Sequence, residues 1–438
     1  MIGMYFESKV TSGKIRMLVL LIGLILPAGT IFAQQQDTLL ISLQDLEKRY
    51  AAGNLQLLGA QAHVGGARGD LDQVKLFSNP NISVGQNIYN QMTGKWFDAS
   101  ATGNTDIQLQ QIFPLTSRRE QQLKLSTANI GMAEGSQYDL GRQLRFQLRT
   151  DFFDCYFLQK SVSFYNRSIE TLTKTIDAVE KMYDQRLLLL SEVLRLKTLL
   201  LSLESERQAL LARIIDKESD FALLTGDTSL TKKYLLPDVT GLHLDDVSID
   251  SLSLPVLVDN AIQNRPDLKI AEKTVEGDEA NLELQKALAI PDLQLGGAWS
   301  RAGSYIPNYY ALTLSMDLPI FNRNQGNIEA AQSAVEEHTY ARELTRYTVE
   351  QDVNRAYIKA IQADSLYRKA DRKMIDQFSQ LVDGMVANYE HRNIGIIEFT
   401  DFFETYRTSM IQLNQLQANR LDAFEGLNFA VGSIIITP

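Results

Sequence analysis

Glu398 and Asp401 stand three residues apart at the start of a stretch with helical apolar spacing, which puts both carboxylates on one helix face. Two carboxylates on one face could act on ions if an assembly gathered several copies of them around an opening. The plainer alternative is a solvated face whose acids suit the positive end of the helix dipole. No catalytic constellation accompanies them. His63, His243, His338 and His391 are scattered without ligand spacing, and the ten methionines are dispersed, so no metal site is expected. Cys155 is the lone cysteine and lies at helical spacing among Phe152, Tyr156 and Phe157, a packing residue rather than a redox centre. Neither a G-x-x-x-x-G-K-[ST] nor a G-x-S-x-G motif occurs, so the residues predict a non-enzyme without cofactor, driven by energy from a partner.

The elements that would carry these carboxylates occur twice. Tyr183 and Tyr389, Arg186 and Arg392, Glu192 and Glu398, and Gly226 and Gly432 are all 206 residues apart. Pro80 pairs with Pro291, and Pro114 with Pro319. The first unit, 34–226, reads as strands at about 81–89 and 105–113, a long helix at about 117–185 and a return helix at about 191–224. The second, 255–432, reads as strands at about 292–300 and 309–318, a long helix at about 325–391 and a return helix at about 397–431. A shorter helix precedes each strand pair, at about 57–76 and 268–288, and 227–254 reads as the linker, with 433–438 a short tail. Leu144, Leu148 and Phe152 recur as Val349, Val353 and Tyr357, one apolar stripe in each copy. A helix of about 70 residues is roughly 100 Å long. A rod that thin has little interior, so its stripe must pack sideways against other rods.

The strands alternate. Ile82, Val84, Leu293, Leu295 and Trp299 are set against Asn81, Ser83, Asp292, Gln294 and Ser300. "ALTLSMDLPIFNRNQG", from Ala311 to Gly326, runs such a strand into Pro319 and then into a helix. Strands of about 9–11 residues with this period cross an outer membrane, apolar to lipid and polar to the lumen. Both tryptophans, Trp96 and Trp299, fall in the strand regions with Tyr89, Tyr305, Tyr309 and Tyr310, as an interfacial belt requires. A soluble sheet packed on one face is the alternative. Four strands cannot close a barrel, and open edges in lipid cost a few kcal/mol per unpaired group. Single-chain barrels begin at about eight strands, which two copies only just reach, so three copies and twelve strands are favoured.

The net charge is −10 and no long basic block is present, so no nucleic-acid partner is expected. Lys9, Lys14 and Arg16 precede "MLVLLIGLILPAGTIFA", which ends at Ala33, so 1–33 reads as a secretory signal peptide rather than an anchor helix. No cysteine stands directly after that boundary, so an N-terminal lipid anchor is not expected.

The chain resembles the TolC-type outer-membrane efflux proteins over nearly its whole mature length. The resemblance rests on the duplicated strand–proline–helix units, "NRPDL" at Asn264–Leu268, and the reversals "YDQRLLLLSEVL" from Tyr183 and "YEHRNIGIIEFTDFF" from Tyr389. It implies a mainly helical fold with β-structure: a homotrimer with a twelve-stranded β-barrel on an α-helical barrel. That trimer sits in the outer membrane of a Gram-negative cell and reaches into the periplasm. There it meets a periplasmic adaptor and an inner-membrane exporter of the RND type, and conducts what the exporter delivers. A type I secretion channel or a periplasmic coiled-coil scaffold are the alternatives. The wording around Tyr389 and in "NPNISVGQNIYN" is similar to members that work with heavy-metal and cation exporters.

By the same resemblance, Glu398 and Asp401 match paired acidic constriction rings, and Tyr389, Glu192 and Ser191 match residues that hold neighbouring helices shut near the tip. Arg186, Leu187, Leu188, Arg392, Asn393 and Ile394 are the adaptor-contact candidates. Two departures stand out. Ile394 occupies the place of the lock's basic partner, and arginine replaces the glycine usual at 186 and 392, which predicts reversals of altered shape.

Overall fold

A computed structural model describes residues 37–244, 249–302, 306–370 and 372–437. The expected signal peptide at 1–33 and Tyr305 lie outside the described residues. The chain starts with strand β1 (Asp37–Ser42) and helices α1 (Leu43–Gly53) and α2 (Leu55–Val74). Next come β2 (Asn81–Gln86), the short β3 (Tyr89–Asn90) and β4 (Lys95–Trp96), and β5 (Thr105–Phe113). Helix α3 (Arg118–Asp184) spans 67 residues, and α4 (Leu190–Thr225) returns along it. The second copy follows β6 (Lys233–Asp238): α5 (Leu254–Asn264), α6 (Pro266–Leu288), β7 (Leu293–Ala302), β8 (Pro307–Met316), α7 (Gln325–Lys369), α8 (Arg372–Glu390) and α9 (Ile396–Val431).

Long helices form because nothing interrupts them. No proline occurs between Pro114 and Pro237 or between Pro319 and Pro438. Both return helices end on a glycine with positive φ, Gly226 at 68° and Gly432 at 79°. At Gly226 the space is closed as well, since a Cβ there would lie 2.2 Å from the Gly53 carbonyl oxygen.

The second long helix differs from the continuous 325–391 expected. It breaks at Ala370, whose ψ of 125° is extended. The turn before the break is pinned from outside. Arg420 of α9 donates to the Asp364 carboxylate at 2.7 Å and lies over the Tyr367 ring, 4.8 Å from its centroid. No glycine or proline occurs at 369–373, so the sequence carries no local signal for the interruption.

The linker is also more than a linker. β6 lies within 227–254 and pairs in parallel with β1, from Asp37↔Lys233 to Ser42↔Asp238. Leu230, Leu235 and Ile249 enter the main apolar core with Leu148, Phe152, Phe153, Phe221, Val349, Val353, Phe424 and Leu427. The stripes on α3 and α7 thus meet in one core, and Cys155 is fully buried there, its thiol pushed up to about 12 by burial and then by Glu218. A second apolar cluster fills the tip, joining α3, α4, α8 and α9.

Four of the remaining strands form one antiparallel sheet in the order β2-β5-β7-β8, and β3 and β4 pair separately. Its register sorts the side chains by face. Val84, Ile107, Trp299 and Tyr310 align across one level, and Ile82, Leu109, Gly297 and Leu312 across the next. Ser83, Gln108, Ala298 and Ala311, with Gly85, Asp106, Ser300 and Tyr309, occupy the other face. Among the described residues β2 and β8 each pair on one side only. Among the described residues no helix is long and apolar enough to cross a membrane.

Candidate functional site: the tip and the sheet

At the tip, α3 and α8 end in the same reversal. The Leu187 amide donates to the Met182 carbonyl and the Arg186 amide to Tyr183; the Asn393 amide donates to Asn388 and the Arg392 amide to Tyr389. These are Schellman bonds, with arginine at the left-handed position, φ 61° at Arg186 and 63° at Arg392. The altered shape expected from losing glycine is therefore not seen in the backbone. The bonded turn holds each arginine in a conformation that disfavours a side chain by about 1 kcal/mol or more.

Glu398 and Asp401 lie exposed in the first two turns of α9, while Phe399 and Phe403 point inward. The inner face is anchored by aromatic contacts: the Tyr389 and Phe399 rings stack with centroids 4.8 Å apart, and Phe403 follows at 6.0 Å from Phe399. Sequence reasoning missed these phenylalanines, although their i, i+4 spacing was there to be read. Of the three lock residues, the structure brings together two. Tyr389 is buried and its hydroxyl makes no hydrogen bond of ordinary geometry, but Glu192 is the acid it faces. Burial, and then that carboxylate, pushes the phenol up to about 12, so Tyr389 stays neutral. Ser191 is exposed. Ile394 packs against the tip cluster, so apolar contact fills the place of a basic partner.

The adaptor-contact candidates divide in two. Arg186, Leu187, Arg392 and Asn393 are exposed, whereas Leu188 and Ile394 are half-buried against the cluster. Leu189, Leu190 and Leu194 extend the exposed apolar surface beside them.

At the other end, Trp299 and Tyr310 share the apolar face at one level, whereas Tyr309 opposes Ser300 on the polar face. Tyr309 therefore does not join that belt. Tyr89 and Trp96 lie beyond the sheet, in the connection from β2 to β5.

Between tip and sheet, buried charges tie the copies together. Arg149 of α3 forms a two-pronged pair with Glu425 of α9, at 2.7 and 2.8 Å, and reaches Glu47 of α1 at 2.9 Å. Nearby, Lys217 contacts Asp151 and, at 3.1 Å, Asp154. One lysine does not neutralise this group. Asp422 of α9 faces it with an oxygen that has no hydrogen-bond partner, and burial followed by the Asp154 carboxylate pushes its pKa up to about 7. A carboxyl whose folded pKa exceeds its unfolded value of about 3.9 holds its proton better when folded, so stability falls as pH rises between the two values. Asp422→Asn should therefore raise the thermal midpoint of the helical signal. Its advantage should grow from about pH 4 to about pH 7 and then level off at roughly 2–4 kcal/mol. A pH-independent difference would mean that Asp422 does not titrate in this range.

Among the described residues, no group of three or more histidine, cysteine or acidic side chains is arranged to hold a metal. The geometry is that of a wall, with one polar and one apolar sheet face, rods one hundred ångströms long in order of magnitude, and carboxylates at the far end.

Residues 257–433 match the outer membrane efflux protein family. That match covers the second copy of the unit and is what this chain is similar to there. Solved structures extend the likeness over the whole fold. The outer-membrane channel OprN superposes with a TM-score of 0.73 at 16% identity, over 89% of this chain and 90% of that one. The Campylobacter jejuni CmeC outer membrane channel gives 0.75 at 13% identity, over 90% and 86%. CusC gives 0.70 at 17% identity, over 89% and 92%. The pyoverdine export outer membrane protein OpmQ of Pseudomonas putida is 35% identical over 80 residues, a match that spans 17% of this chain and 17% of that relative. The match and the outer-membrane channel structures together place the chain in the outer membrane, with the helices on the periplasmic side. Efflux-family folds are those of channels, not of enzymes, and members are trimers within tripartite systems.

Proposed function

We propose that this chain is the passive outer-membrane exit duct of a tripartite system. Three copies join their four-stranded sheets into a twelve-stranded barrel, and their helices form a tunnel across the periplasm. The observation that carries this reading is the sheet. Its apolar side chains share one face, its polar ones share the other, and among the described residues both edge strands lack a partner. A scaffold of helical hairpins has no use for such a sheet, and lipid would penalise each open edge. Pairing β8 of one copy with β2 of the next continues the antiparallel alternation and removes every edge.

The tip then receives a periplasmic adaptor and, through it, an RND-type exporter. Arg186, Leu187, Arg392 and Asn393 form the accessible part of that contact. Glu398 and Asp401 line the narrow entrance, and Tyr389, buried in the tip cluster and facing Glu192, packs α8 against α4. The metal-export assignment rests on sequence wording alone, whereas the relative with local identity is named for pyoverdine export. Cargo is selected by the exporter that delivers it to the tunnel. Purified in detergent, the protein should have a protein mass of three chains by light scattering. A stable monomer with full strand content would overturn the reading.

A further inference from the structure

The connection between β2 and β5 folds around a small polar centre. Asn90 and Asp98 are buried there, while Gln91, Thr93, Lys95, Ser100 and Thr102 lie at its surface. The Asp98 carboxylate is buried and accepts from the Ser100 amide and hydroxyl at 3.0 and 2.6 Å, the Thr93 hydroxyl at 2.9 Å, the Asn90 amide group at 2.9 Å and the Thr102 hydroxyl at 3.3 Å. Asn90 also donates to the Thr102 carbonyl at 2.8 Å, and Gln86 to the Asp98 carbonyl at 3.0 Å. Ile88, Tyr89, Met92, Trp96 and Phe97 are left on the outside, with Met92 95% and Trp96 69% exposed. So large a cluster of exposed apolar groups on a loop marks a contact surface.

Its position indicates what it contacts. Gln86 ends β2 on the same face as Ile82 and Val84, and its side chain reaches into the connection at the Asp98 carbonyl. The Phe97 amide donates to the Ile88 carbonyl at 2.8 Å, and Tyr89 and Trp96 pair across the small hairpin with ring centroids 5.2 Å apart. The hairpin is thus joined to the lipid side of the sheet. Arg301, whose guanidinium lies 5.8 Å from the Trp299 ring centroid, donates to the Ala99 carbonyl and ties the loop to β7. Tyrosine and tryptophan, apolar in body and polar at one end, suit the boundary between headgroups and acyl chains.

We infer that the hairpin 88–97 is a membrane-interface anchor: a polar-cored loop that lays Met92, Trp96 and Phe97 into the outer boundary of the bilayer. This rests on the proposed spanning role of the sheet. Once seated, three such loops fix the depth of the barrel in the membrane.

The chain has only two tryptophans, which makes the test direct. Full-length Trp299→Phe protein retains Trp96 alone, and Trp96→Phe retains Trp299. Each is reconstituted into phosphatidylcholine vesicles with or without bromine near the headgroup end of the acyl chains, and titrated with iodide. Trp96 emission should fall by about half or more in brominated vesicles and change little with iodide. Quenching by iodide but not by bromine would place the loop in water and overturn the inference, as would protection from both, the mark of a contact between copies. Trp299 separates the two readings. If it is quenched by bromine while Trp96 is not, the spanning sheet stands and only the anchor falls; if neither is quenched, both fall.

Discussion

Glu398→Gln combined with Asp401→Asn should remove most of the cation preference of the reconstituted channel. The cation-to-anion permeability ratio is expected to fall several-fold toward unity, and block by a multivalent cation applied from the tip side to weaken by about tenfold or more. Both side chains are exposed on one face of α9, on the opposite side from Phe399 and Phe403, which hold that helix against the tip cluster. In the proposed trimer the three helices bring six carboxylates to one opening. Unit charges there add their potentials, and a multivalent ion feels the sum in proportion to its charge. Single replacements leave three charges and should give intermediate ratios. Planar-bilayer reversal potentials in a salt gradient provide the measurement. Unchanged selectivity in the double variant would remove these residues from the mechanism and leave the solvated-face alternative.

Arg149→Ala should destabilise the folded chain by about 3–5 kcal/mol, the largest effect expected of a single replacement here. Arg149 is almost wholly buried, and its partner Glu425 more so. Removing the guanidinium leaves Glu425 charged, enclosed and unpaired, which costs far more than the pair contributes. Arg149→Lys should not rescue it, because an ammonium cannot make the two-pronged contact and also reach Glu47. Arg149→Met with Glu425→Met should recover much of the loss, since both charges then leave together. Thermal unfolding followed by the helical signal in detergent distinguishes the variants. If the double variant is no better than Arg149→Ala alone, the burden is packing and not the orphaned carboxylate.

How much of this was legible beforehand follows from the range of each interaction. The strand faces could be read because alternation is local: whichever strands pair, residues two apart share a side. The helix lengths could be read because proline is a local veto. Other features have no local cause. The break at Ala370 follows a turn that Arg420, 50 residues further on, holds by its Asp364 and Tyr367 contacts. The strand β6 reads as linker in the sequence because its partner β1 lies almost two hundred residues upstream, and a six-residue strand in a parallel pair shows no alternation of its own. Arg186 and Arg392 predicted a changed turn because φ preference is a local property, yet the bonds closing each reversal outweigh a penalty of about 1 kcal/mol.

The candidate site divides along the same line. The spacing of Glu398 and Asp401 put them on one face without reference to any other element. That this face is the exposed one depends on Phe399 and Phe403 finding Tyr389. The same holds for the lock. Nothing near residue 192 announces Tyr389, and only the folding of α4 against α8 brings the two within electrostatic reach. Period, punctuation and duplication were thus settled by residue order alone, since each is enforced within a few residues of backbone. Which faces meet, which acids stay unpaired and where a helix breaks were decided only by the tertiary structure, because burial and charge pairing act between segments that the chain order keeps far apart.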